Sequence, residues 1–192
     1  MMGINKGYLT AGRDAASDEC LTPRYAVLPL VKYLLAKNFK TVWCPFDNQN
    51  SFYVRVLQAA GFKVIFSHID VDYDFFKYEP DHYDVIVSNP PFSIKDAILE
   101  RLYALEKPFA MLLPQNSLQS QKRTSMFIGG GLEYLGFDKR VNFYINGVLS
   151  GWKEGNHFAV GYFCKNVLPE KLMFEILDPV QEPYFSIEEM VG

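Results

Sequence analysis

The sequence predicts an α/β domain built on a mostly parallel sheet with a C-terminal antiparallel hairpin. Three observations carry this. Short apolar runs such as VIV before Ser88 and AMLL before Pro114 read as strands buried on both faces. Segments of helical periodicity alternate with them, the order expected of a parallel sheet. Two stretches rich in β-branched and aromatic residues flank a Gly-rich segment near the end of the chain. At 192 residues and 49% hydrophobic, the chain suits one domain with a sizeable core. Residues 21–192 are assigned to that domain, and the polar residues 1–20 to a mobile arm.

Taken in order, Thr22 and Pro23 supply an N-cap and a first-turn proline to a helix whose Val27, Leu30, Val31, Leu34 and Leu35 recur at helical spacing to about Ala36. KTVWCPF is a strand ending in proline, and SFYVRVLQAAG is a helix closed by Gly61. KVIFSHI is a second strand and HYDVIVSNPPF a third, which ends in a polar turn. DAILERLYALE is a helix and PFAMLLP a fourth strand. KRVNFYING and NHFAVGYFCKN are read as the hairpin, and Gly129-Gly130-Gly131 as a flexible loop. Ligands of such sheets sit outside the carboxyl ends of the strands, so the loops beginning at Cys44, His68, Ser88 and Pro114 are expected to line one cleft.

Composition excludes several classes. Lys and Arg number 19 against 22 Asp and Glu, so no global positive field draws in nucleic acid, and any such contact is local. Three widely spaced cysteines, Cys20, Cys44 and Cys164, suggest neither a disulfide framework nor a zinc site, and no metal is expected. His68, His82 and His157 form no catalytic pattern. No signal-peptide core opens the chain, and no apolar run approaches the roughly 18 residues of a membrane span. A cytoplasmic protein without membrane contact is the expectation.

Ser88-Asn89-Pro90-Pro91-Phe92 is the sharpest motif. Successive prolines fix φ, remove both N–H donors and keep the preceding residues out of helical geometry. The rigid turn presents the Asn89 amide oxygen and the Pro90 carbonyl on one edge, with Phe92 beside them. Two acceptors beside an aromatic face suit the exocyclic amine of a planar heterocycle.

This motif, after a strand and before a helix, resembles the (D/N/S)PP(Y/F) motif of class I S-adenosylmethionine-dependent methyltransferases, above all the adenine-N6 enzymes. From Thr22 to Cys164 the order of segments is similar to that of small phage and prophage DNA adenine methyltransferases. The resemblance implies a Rossmann-like sheet, S-adenosyl-L-methionine as cofactor, and Asn89, Pro90, Pro91 and Phe92 as catalytic residues. Thr22-Pro23 resembles the motif that packs over the methionine end of the cofactor. Cys44, Pro45, Phe46 and Asp47 occupy the place of the first cofactor loop, although Asp47-Asn48-Gln49-Asn50-Ser51 replaces the family's Gly-x-Gly. Asp70 is carried over as the ribose ligand, with Asp74 and Phe75 as partners of the adenine.

The implied reaction moves a methyl group to adenine N6, in DNA in preference to RNA, with the base single-stranded or flipped out. Lys122 and Arg123, in a polar stretch after the fourth strand, are the candidate nucleic-acid contacts, and Lys95, Lys139 and Arg140 add charge. No target-recognition segment is evident, so a partner subunit that supplies specificity stays open. Two alternatives remain: methylation of an RNA adenine or a protein glutamine, and a non-catalytic accessory module of the same fold.

Overall fold

The computed structural model describes residues 21–69, 73–145, 148–149 and 159–179. The arm assigned to residues 1–20 and the candidate Asp70 lie outside them. Helix α1 spans Arg24–Ala36, followed by β1 (Thr41–Cys44), α2 (Phe52–Ala59), β2 (Lys63–Phe66), β3 (Val85–Ser88), α3 (Lys95–Ala104) and β4 (Phe109–Pro114). After these come α4 (Gln121–Gly130), β5 (Glu133–Phe137), β6 (Tyr144–Ile145), β7 (Val148–Leu149), β8 (Val160–Lys165) and β9 (Leu172–Glu175).

Seven strands form one sheet in the order β2-β1-β3-β4-β8-β5-β9. The first four are mutually parallel, with Val42 beside Val85 and Ile86 beside Phe109. Strand β8 runs antiparallel to both of its neighbours, β4 and β5, and β9 lies parallel to β5. The protein is an α/β fold with a Rossmann-like, mostly parallel sheet.

Side chains of a strand alternate between the faces of a sheet, and here each face has its own apolar layer. Val42, Cys44, Val85, Val87, Ala110, Leu112 and Tyr162 pack with Val27, Leu30 and Leu34 of α1 and Val54 and Leu57 of α2. On the opposite face Trp43, Ile86, Phe109, Met111 and Phe163 pack with Ile98, Leu99 and Leu102 of α3. Burial on both faces explains why β1, β3 and β4 carry no alternation of polar residues.

Local chemistry sets the joints. Pro23, rather than Thr22, is the N-cap of α1, and Ala26 N–H donates to its carbonyl at 3.0 Å. Ser51 caps α2 by accepting from Tyr53 N–H at 3.1 Å, and Gly61, at φ +92°, reverses the chain beyond it. The Asp84 carboxylate accepts from Lys40 N–H and Thr41 N–H at 2.7 and 2.8 Å, fastening the start of β3 to that of β1.

Two sequence expectations change. An antiparallel pair is present, Tyr144–Ile145 with Val148–Leu149, but the stretch holding Val160–Lys165 enters the main sheet instead of pairing with residues 139–147. Gly129 and Gly130 are the last turn of α4 rather than a loop, and Gly131 ends the helix at φ +80°. A Cβ at Gly130 would stand 2.3 Å from the Tyr103 ring, so packing rather than flexibility requires glycine there.

Candidate functional site

The carboxyl ends of β1 to β4 bring four loops to one edge of the sheet. Asn89 follows β3 there, and Asn89 Oδ1 is buried without a hydrogen-bond partner among the described residues. Pro90 is buried, Pro91 is exposed, and the half-buried Phe92 packs against both apolar layers. Phe92 opens a single 3₁₀ turn, Phe92–Ile94, that leads into α3. Lys95 Nζ donates to the Phe92 carbonyl at 3.2 Å, so this cation steadies the turn.

The first loop is organised around Asp47. Its side chain is buried, with Oδ1 accepting from the Ser51 hydroxyl and Oδ2 accepting from the Ser88 hydroxyl at 2.5 Å. Burial pushes the carboxyl up to about 6, against the opposing pull of both hydroxyls and of His68. The sequence places Ser88 at the head of the Asn89 motif and Ser51 at the end of the first loop but gives neither a role. Their signals were a serine immediately before Asn89 and another at a helix N-cap, neither of which names Asp47 as partner. Cys44 ends β1 wholly buried, and burial together with the Asp47 charge holds its thiol far above its ordinary value.

Thr22 and Pro23 are buried at the head of α1. Leu21 pairs with Tyr144 as an isolated bridge, and both pack with Phe52 at the head of α2. Pro45 is buried and Phe46 half-buried, with the Phe46 ring 5.0 Å from that of Phe75.

Several carried-over residues are engaged elsewhere. Phe75 is 3% exposed, set between Trp43 and Phe46 with the Arg101 guanidinium 5.4 Å above its ring, and so is core rather than an open stacking face. Asp74 Oδ1 accepts from Phe76 N–H at 2.9 Å and Oδ2 lies 3.3 Å from Lys77 Nζ, which makes this acid the organiser of its own turn. Arg123 is 8% exposed. It donates to the Ser117 carbonyl at 2.6 Å, the Gln119 carbonyl at 2.7 Å and Asp96 Oδ1 at 2.6 Å. Those contacts occupy the fork that the sequence reading assigned to nucleic acid. Lys122 stays at the surface, 2.7 Å from Glu100. Lys139 and Arg140 line a shallow depression with Gln115, Phe137 and Phe174, at the carboxyl ends of β4 and β5.

The residues fit a cofactor only in part. Asn48, Gln49 and His68 are accessible at the ends of β1 and β2, whereas both oxygens of Asp47, one of Asp74 and the Phe75 ring are bound internally. Among the described residues, no group of three His, Cys, Asp or Glu side chains stands ready to hold a metal, and no helix is long and apolar enough to cross a membrane.

No protein-family model matches the chain, and none of the curated proteins matches it in sequence. Among solved structures, a "putative methyltransferase from Thermoplasma acidophilum" is similar at 11% identity and a TM-score of 0.37, over 72% of this chain and 71% of that one.

Proposed function

We propose that the protein is an S-adenosylmethionine-dependent methyltransferase acting on adenine N6, in DNA in preference to RNA. The observation that carries this reading is Asn89 Oδ1, a buried acceptor with no partner among the described residues, held at the carboxyl end of a central strand by two prolines. A buried acceptor left unpaired costs about 1–3 kcal/mol, and such groups in a native protein call for a functional or structural reason. An incoming amine provides one.

S-adenosylmethionine, when bound, supplies an electrophilic methyl group on a sulfonium. Asn48, Gln49 and His68 are the accessible polar residues that would hold it. Asn89 Oδ1 and the Pro90 carbonyl take the two hydrogens of the amine, which favours the pyramidal, more nucleophilic nitrogen as positive charge develops. Because the turn is rigid, this preference is built in before the base arrives. Phe92 offers the base a stacking surface, and the depression lined by Lys139 and Arg140, with Asp138 3.3 Å from Lys139 Nζ, is a local surface for phosphates now that Arg123 is spoken for.

The test is methyl transfer from labelled S-adenosylmethionine to unmethylated DNA and unmodified RNA, with the product nucleoside identified. Label in N6-methyladenine that disappears in Asn89→Ala is the expected result; full activity in that variant would remove Asn89 from the chemistry. The internal use of Asp47, Asp74 and Phe75 favours a second reading, a non-catalytic module of this fold. Failure of S-adenosylmethionine to bind in calorimetry, with no label transferred, would select it.

A further inference from the structure

The hydroxyls of Ser51 and Ser88 meet on one buried carboxylate although Ser88 lies 41 positions beyond Asp47. Each tie has a different destination. Ser51 Oγ is also the cap of α2, accepting from Tyr53 N–H, so Asp47 holds the first loop to a helix end. Ser88 is fully buried and immediately precedes Asn89, so the same carboxylate holds the strand end that carries the proposed amine acceptor. Pro90 and Pro91 leave the backbone beyond Asn89 little freedom, so a shift at Ser88 passes into the Asn89 side chain instead of dissipating along the turn.

We infer that Asp47 is a positioning residue, whose ionised carboxylate locks Asn89 to the first loop through Ser88 and releases it on protonation. The inference rests on the reading of Asn89 given above. Ionised, Asp47 is purely an acceptor and accepts a hydrogen bond from each serine hydroxyl; protonated, one of its oxygens becomes a donor, and a serine must turn its own proton away. Ser51 Oγ is already committed to Tyr53 N–H, so the adjustment falls on the Ser88 hydroxyl and on the joint it makes with Asp47. The groups that face Asp47 are His68 beyond β2, Cys44 of β1, Tyr53 of α2 and Tyr162 of β8. Burial raises the last three well above their ordinary values, so they stay neutral, and a positive charge on His68 would favour ionised Asp47.

The test follows the Asn89 side-chain amide by NMR between pH 5 and 8, its signal identified as the one missing from Asn89→Ala. In the wild-type protein the signal is expected to move with a midpoint near the Asp47 value of about 6. In Ser88→Ala and in Asp47→Asn it stays still. A wild-type signal that does not move, or one that moves identically in Ser88→Ala, overturns the inference. No turnover is needed, so this result is independent of whether methyl transfer is observed. In the methyl-transfer assay Ser88→Ala is expected to lower kcat by about tenfold, a modest misplacement, with KM for S-adenosylmethionine within about twofold and the acid limb of the pH profile removed. Transfer by Ser88→Ala at the wild-type rate would also overturn it. If Asp47→Asn does not fold, Ser88→Ala, which keeps the carboxylate and its Ser51 partner, decides alone.

Discussion

Arg123 Nη1 stands 2.6 Å from Asp96 Oδ1, joining the first turn of α4 to the first turn of α3. The same guanidinium holds the carbonyls of Ser117 and Gln119, so one side chain fixes the loop after β4 against the helix after the Asn89 turn.

Arg123→Ala is therefore expected to destabilise the protein by about 2–4 kcal/mol, since it strands two carbonyls and a carboxylate. Lys122→Ala, one residue away in an exposed pair with Glu100, is expected to leave the unfolding midpoint in urea nearly unchanged. Equal midpoints for the two variants would contradict the structural role of Arg123.

Asp47 gives stability a pH dependence of defined sign. Its folded-state pKa is raised from 3.8 to about 6, so the native protein holds a proton that the unfolded chain releases between those values. The resulting contribution is full below about pH 4 and is lost as pH rises through about 6. Asp47→Asn, neutral throughout, should flatten this slope and be more stable than wild type at pH 7 by up to about 3 kcal/mol. Thermal melts of both proteins from pH 4 to pH 7 check it; parallel curves would show that Asp47 carries no burial penalty.

Asp84 has the opposite sign. The backbone N–H groups of Thr41 and Lys40 lower its pKa, so its contribution is present above the ordinary carboxylate value and is lost as pH falls through the lower one. Asp84→Ala is expected to cost about 1 kcal/mol at neutral pH. In acid the difference from wild type should shrink, and denaturant titrations at two pH values would show whether it does.

Gly161 lies in β8 where a Cβ would come 2.4 Å from the Tyr134 hydroxyl and 2.9 Å from the Leu135 carbonyl. The backbone contact has nowhere to go, so Gly161→Ala should destabilise by about 1–3 kcal/mol. Combining it with Tyr134→Leu removes both the hydroxyl and the ring carbon that would lie 2.5 Å away but leaves the backbone contact, and chemical denaturation of the pair is expected to show part of the loss recovered.

The parts of the fold legible in the sequence are those that local chemistry dictates. VIV and AMLL announce strands because both faces are covered, and Asn89-Pro90-Pro91 announces a rigid turn because covalent geometry alone makes it one. Strands β5 and β9 went unread since their residues answer to distant partners. Glu133 is in β5 to accept from the backbone N–H groups of Asn166, Val167 and Leu168, and Gly136 is there because the Phe174 ring lies where its Cβ would be. Arg123 read as a nucleic-acid contact for the same reason: its carboxylate partner is 27 positions away. Asp47 was picked out as part of the site, but its contact with Ser88 exists only once β1 and β3 lie side by side.

The place of β8 between β4 and β5 has a consequence for how the chain is made. Phe109–Pro114 leaves the ribosome well before Val160–Lys165, the strand that pairs with it. Through that interval the nascent protein carries an unsealed apolar edge, FAMLLP, of the kind that recruits other strands. Sheet closure thus waits on the synthesis of Val160–Lys165, and until then the FAMLLP edge is open to pairing with other strands.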